Sequence, residues 1–204
     1  EHIGAIQGGN HGLAGIDIRI YPYVSILLGV VVLLGLYLAN LYNYLLFHAL
    51  AEGFSILVAF GIFILAWHTR RLLSNDYLLF VGIAYLFIAA LDFVHTLGYK
   101  GMGVFPGYGS NLPTQFWIAA RYIESLSLLA APLFFTRKLR LSWAVPGYGC
   151  LTVFLIVLIF GGWFPDCYLP GTGLTPFKVA SEYVISLILL TAAAILYQHR
   201  AAFS

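Results

Sequence analysis

The chain's 204 residues are 61% hydrophobic and only 9% charged, and its formal net charge is +2. A soluble domain keeps about a quarter of its residues charged in order to cover its surface. This composition therefore excludes a soluble globular domain, and the small, scattered positive charge excludes a nucleic-acid partner. The expected solvent is the lipid bilayer, where the expected fold class is an all-α integral membrane bundle.

Six apolar stretches are long enough to cross a hydrocarbon core of about 30 Å, which takes about 20 helical residues. In chain order they cover about 21–41, 45–68, 76–97, 113–135, 143–161 and 175–198. The sequence therefore predicts six transmembrane helices in a membrane domain at 21–200. Residues 1–20 are expected to form an N-terminal cytoplasmic arm, and 201–204 to begin a linker to a missing output domain.

Basic residues favour the cytoplasmic ends of membrane spans, and in this chain they follow every second span. They are Arg70 and Arg71 after span two, Arg137, Lys138 and Arg140 after span four, and Arg200 after span six. The opposite loops carry only Lys100 and Asp166 as charged residues. Both termini are therefore predicted to be cytoplasmic, and the two loops with Lys100 and Asp166 are predicted to lie outside.

Ionisable side chains recur inside the predicted spans, where each is costly and is expected to face the bundle interior and find a partner. They are His48, Glu52, Asp92, His95, Arg121, Glu124, Lys178 and Glu182. Within each helix the pair is spaced i,i+3 or i,i+4, so both members lie on one helix face. Counted from the cytoplasmic charges at 1.5 Å per residue, most lie at about 24–33 Å, in the outer half of the membrane. The sequence thus predicts one polar site shared by four helices.

Several interpretations of this site remain open. A network of salt bridges would simply fix the packing of the helices. A divalent transition metal would suit the imidazole and carboxylate groups of His48, Glu52, Asp92 and His95. Haem between the two histidines is a weaker alternative, because neighbouring helices pack only about 8–10 Å apart. A small polar ligand or a proton-linked switch also fits, because histidines beside carboxylates titrate near neutral pH.

The two outer loops are rich in glycine and proline, which is typical of flexible connectors or of lids that fold over a site. The predicted lid residues are Tyr99, Lys100 and Met102. The sequence contains no His-Glu-x-x-His, Gly-x-Ser-x-Gly or P-loop pattern and no recognisable nucleophile with a base. The domain itself is therefore not expected to be an enzyme.

Four stretches of the chain resemble bacterial membrane-associated sensor domains of the third MASE type. They are Phe47–Glu52, Ala66–Arg71, Leu91–Phe105 and Thr114–Ser125, and the resemblance extends over about 45–200. It implies a membrane-embedded input module of a sensor histidine kinase or diguanylate cyclase, in two-component or cyclic di-GMP signalling. It also implies the bacterial inner membrane, a cytoplasmic output domain and a homodimer.

The predicted function is therefore sensory: a small ligand, ion or proton acts on the polar site and displaces span two or span six. The first alternative is a membrane transporter or enzyme that uses the same cluster for metal or proton chemistry. Against a transporter, the spans show no clear inverted repeat. The second alternative is an anchor that only localises an effector.

Overall fold

The structure is a computed structural model that describes residues 21–199, with the arm at 1–20, Arg200 and the linker at 201–204 outside the described residues. The helices are α1 (Tyr21–Tyr42), α2 (Tyr44–Thr69), α3 (Tyr77–Gly98), α4 (Asn111–Ala130), α5 (Leu141–Phe160) and α6 (Pro176–Gln198). A 3-10 turn at Ala131–Phe135 extends α4, and a small hairpin pairs β1 (Tyr168–Leu169) with β2 (Gly173–Leu174). Each of the six described helices is long and apolar enough to cross a membrane. The predicted all-α bundle of six spans is confirmed.

Helices α3 and α4 form the centre of the bundle. Helix α3 packs against α2, α4 and α5, and α4 packs against α6 on its other side. Helix α1 packs on α2 at the edge, and none of its apolar window is buried, whereas 56% of the window in α3 is buried. The apolar side chains of α1 are therefore exposed on the outside of the bundle, and the packed core lies between α3 and α4.

The core between these two central helices is built from large apolar side chains. Ile88 and Leu91 of α3 and Phe116 of α4 are almost completely buried in one cluster. Helix α2 approaches α3 from the other side at Gly82, where an added Cβ atom would lie 2.5 Å from the Cβ atom of Ala66. That distance is far inside van der Waals contact, so only glycine at this position allows the two helices to pack this closely.

At one end of the bundle, the short-loop end, Asp76 joins the start of α3 to the segment before α5. Its Oδ2 atom accepts a hydrogen bond of 2.8 Å from the backbone N–H of Leu139, and Oδ1 lies 3.8 Å from Lys138 Nζ. The connection between α4 and α5 is thereby fastened to the base of α3.

The opposite end, the long-loop end, carries the connections at 99–110 and 161–175. Asn111, the first residue of α4, fastens the second connection. Its Oδ1 atom accepts hydrogen bonds from the backbone N–H groups of Cys167 and Tyr168 at 2.8 and 2.9 Å, and its Nδ2 donates to Asp166. The second long loop is therefore held against the first turn of α4.

Candidate functional site

A groove of about 460 Å³ lies at the long-loop end of the bundle between α2 and α6, with α3 and α4 between them. Its lining consists of Tyr44, His48, Glu52, His95, Tyr99, Thr114, Trp117, Leu174, Lys178 and Glu182. Five of the predicted site residues are in this lining: His48, Glu52, His95, Lys178 and Glu182. We call this feature the α2–α6 groove.

Two histidines and one carboxylate converge on the α2 side of the groove. His48 and Glu52 lie one turn apart on α2, and α3 places His95 opposite them. One ligand atom from each of the three residues lies within 4.8 Å of the other two, which makes them a group that could hold a metal ion. The distance from His95 Nε2 to Glu52 Oε1 is 4.0 Å, and the two imidazole rings meet edge to face with centroids 5.5 Å apart. That direct ring contact leaves no gap for a haem macrocycle between the two histidines.

The orientation of the buried His95 ring is fixed by α4. Its Nδ1 atom lies 2.8 Å from the backbone carbonyl oxygen of Pro113. A carbonyl oxygen only accepts hydrogen bonds, so Nδ1 carries the proton and, in the neutral ring, Nε2 presents a lone pair towards Glu52. His48 Nε2 is shielded from solvent and has no hydrogen-bond partner among residues 21–199. The His95 Nε2 atom therefore faces the Glu52 carboxylate without a direct hydrogen bond, and the His48 ring adds a buried nitrogen that has no hydrogen-bond partner among the described residues.

The first long loop covers this group of side chains through Tyr99. The centroid of the Tyr99 ring is 3.7 Å from that of the His48 ring. Burial, and then the hydrogen bond with Tyr44, raise the pKa of Tyr99, so its phenol is neutral at physiological pH. Of the other predicted lid residues, Lys100 lines an adjoining cavity of about 280 Å³, and the backbone N–H of Met102 closes a turn on the Tyr99 carbonyl.

A second cluster of charged side chains is buried between α3 and α4. Arg121 donates hydrogen bonds to Asp92 Oδ2 and to Glu124 Oε2, both at 2.5 Å. The Tyr85 hydroxyl donates to Glu124 Oε1 at 3.0 Å. Asp92 is therefore engaged by Arg121 and lies outside the group formed by the two histidines and Glu52. Sequence reasoning missed Tyr85, because one tyrosine in an apolar span carries no signal that separates it from other packing residues.

The α6 side of the groove carries a pair that is neutral overall. Lys178 Nζ donates to Glu182 Oε1 at 2.5 Å and lies 5.2 Å from the centroid of the Trp117 ring. Among residues 21–199, Glu52 is thus the groove carboxylate that forms no direct salt bridge with Lys or Arg, although the charge of Arg121 acts on it through space. A carboxylate without a direct counter-ion is expensive away from water, so this position favours a bound cation.

The comparisons with known proteins place the chain among membrane sensors. A family model described as MASE3, "Membrane-associated sensor domain", matches residues 39–204. No curated protein and no solved structure matches the chain.

Proposed function

The chain belongs to the MASE3 family of membrane-associated sensor domains, and we propose that it detects a small ligand or ion in the α2–α6 groove. The proposed role is the input domain of a histidine kinase or a diguanylate cyclase. Family membership supports the sensory role. The polar side chains that converge in the groove support the proposal that the stimulus binds there.

The observation that carries this proposal is the position of the groove between helices from opposite sides of the bundle. His48 and Glu52 belong to α2, Lys178 and Glu182 belong to α6, and the two helices are separated by α3 and α4. A ligand that interacts differently with two arrangements of these helices shifts the equilibrium between them. Because α6 leads to the C-terminal end of the domain, its displacement would reach an output domain that follows.

The proposed setting is the bacterial inner membrane, with both termini in the cytoplasm and the groove in the outer half of the bilayer. The supporting observation is the concentration of Arg and Lys at the short-loop end, since basic residues favour the cytoplasmic side. We also propose that the domain works as a homodimer and is not itself catalytic. Catalysis would then be a property of the output domain alone.

The test uses the full-length protein that contains this domain, in native membranes, with kinase or cyclase activity as the readout. Under conditions that change the kinase or cyclase activity of the wild type, the activity of the His48→Ala and Glu52→Gln variants should stay constant. His68→Ala is the matched control, because His68 lies on the same helix but at the short-loop end, where its Nδ1 contacts the Ile64 carbonyl.

Groove variants that respond like the wild type would contradict the proposal. Steady net uptake of an ion or solute by the purified domain in liposomes would instead favour the transporter alternative. An anchor is excluded if the groove variants change the output while the protein remains folded and in the membrane.

A further inference from the structure

We infer that the ligand of the α2–α6 groove is a divalent transition-metal cation bound by His48, Glu52 and His95. This inference rests on the proposed sensory function and specifies the chemistry of its stimulus. Two imidazoles and one carboxylate are ligands that suit first-row divalent metals such as zinc. Magnesium and calcium instead prefer sites in which every ligand atom is oxygen.

The separations of the three side chains suit an ion better than a direct hydrogen bond. His95 Nε2 and Glu52 Oε1 are 4.0 Å apart, which is beyond hydrogen-bond reach. With metal–ligand bonds of about 2.0–2.2 Å, two ligand atoms of a tetrahedral ion lie about 3.4 Å apart. All three donors already lie within 4.8 Å of one another, so small side-chain rotations suffice to close the site.

The hydrogen bond of His95 to the Pro113 carbonyl is the kind of support that metal-binding histidines use. Such ligands commonly donate their second ring N–H to a carbonyl or carboxylate, which fixes the tautomer and aims the other nitrogen at the metal. Here Nδ1 donates at 2.8 Å and Nε2 is left facing Glu52. His48 offers the second imidazole, and its shielded Nε2 has no hydrogen-bond partner among the described residues.

The charge of the surroundings favours a dication. The Arg121 cluster contains two carboxylates and one cation, and the Lys178–Glu182 pair is neutral. Glu52 forms no direct salt bridge with Lys or Arg among residues 21–199. With neutral histidines, two negative charges therefore remain, and one divalent cation balances both. Asp92 is not needed as a ligand, because Arg121 already holds it.

Three protein ligands would leave the fourth position of a tetrahedral ion to water, and all three ligands line the groove. Metal sites that bind exchangeable groups keep such an open position, whereas purely structural zinc sites are closed by four protein ligands. A site of this kind can gain and lose its ion through the groove mouth, as detection of an external metal requires.

The direct test measures metal bound to the purified chain in detergent after chelator treatment, reloading with Zn²⁺ and desalting. Elemental mass spectrometry should find about one zinc ion per wild-type chain, and His68→Ala should retain it. His48→Ala, His95→Ala and Glu52→Gln should each weaken binding at least as much as loss of an outer-shell partner, which costs about 10–100-fold. Co²⁺ in place of Zn²⁺ should show visible absorption typical of a four-coordinate site, lost in the double variant His48→Ala/His95→Ala.

Two results would overturn the metal site: a wild-type chain that binds no divalent metal, or a double variant that binds it equally well. The readout is separate from that of the proposed function. If the wild type binds no metal but His48→Ala still changes the output of the full-length protein, the metal assignment fails and the sensory groove stands. If metal binds and the output ignores every groove variant, the sensory proposal fails.

Discussion

Arg121 is the residue on which the charge balance between α3 and α4 depends. It joins Asp92, whose side chain is almost completely buried, to Glu124, and both contacts are charge-assisted hydrogen bonds. Removing one partner of a buried ion pair costs more than replacing the whole group, because it leaves a buried charge unpaired.

Arg121→Met is therefore expected to lower the free energy of unfolding by about 3–5 kcal/mol, because two carboxylates lose their cation. Chemical unfolding in detergent measures this change. The triple variant Asp92→Asn/Arg121→Met/Glu124→Gln should recover most of the loss, because it removes the charges together. An Arg121→Met variant as stable as the wild type would show that this cluster is not a structural network.

The reactivity of the Cys167 thiol depends on how the second long loop is packed. Cys167 belongs to the second long loop and is fully buried against Ile118 and Ile185, and burial raises the pKa of its thiol to about 11. The thiolate is the reactive form, so alkylation should be very slow at pH 7.5 and should accelerate as the pH approaches the thiol pKa. Maleimide labelling followed by mass spectrometry, in a Cys150→Ser background, measures this rate. Fast labelling of the folded protein at pH 7.5 would contradict the buried placement.

The sequence predicts which residues carry the chemistry, but it does not predict how they are partitioned. The helical spacing of His48 with Glu52 and of Asp92 with His95 follows from the sequence, because i,i+3 and i,i+4 neighbours share a face. The capture of Asp92 by Arg121 depends on how α3 meets α4, and nothing local specifies that contact. The same holds for the Pro113 carbonyl that orients His95.

At the scale of the helices, the close packing of α2 on α3 depends on glycine at one position. A Cβ atom at position 82 would also come within 3.3 Å of the Cα atom of Phe63, so the backbone of α2 would have to move. In contrast, a Cβ atom at Gly61 of α2 would meet nothing within 4 Å.

Gly82→Ala is expected to destabilise the bundle by about 1–3 kcal/mol, the usual cost of overpacking. Gly61→Ala is the matched control and should be neutral or slightly stabilising, because alanine favours the helix and meets open space. Thermal unfolding of both variants in detergent provides the comparison. Equal melting temperatures would contradict the packing of α2 on α3, and Ala66→Gly should partly rescue Gly82→Ala.

The helices themselves are predicted well from the sequence. Each predicted span agrees with a described helix to within two residues at either end when the 3-10 turn at Ala131–Phe135 is counted with α4, because apolar length alone sets a membrane span. The packing order of the helices has no such signal. The edge position of α1 and the central position of α3 depend on tertiary contacts between spans that are similarly apolar.

At the scale of the whole molecule, the orientation across the membrane stays a prediction from the distribution of basic residues. Lys100 lies in the first long loop, and Lys138, whose side chain is 77% exposed, lies at the short-loop end. In a background without Cys150 and Cys167, Lys100→Cys should react with an impermeant maleimide in intact cells, and Lys138→Cys only after permeabilisation. The reverse pattern would invert the topology and place the groove on the cytoplasmic side.

If the α2–α6 groove is the sensory site, its state must be transmitted to the distant ends of α2 and α6. Spin labels at Leu65 and Leu190, which are 56% and 69% exposed near the short-loop end, report the separation of these helices without entering the groove. Pulsed electron–electron double resonance should be recorded on the labelled wild type, on Glu52→Gln and on the His68→Ala control, each with and without Zn²⁺.

Relative to the metal-free wild type, Glu52→Gln or Zn²⁺ binding to the wild type should shift the mean distance between the labels by about 1–2 Å, the size of helix shifts in known switches. The His68→Ala control should follow the wild type with and without Zn²⁺. Identical distance distributions in all six samples would contradict the claim that this groove controls the helices leading to an output domain.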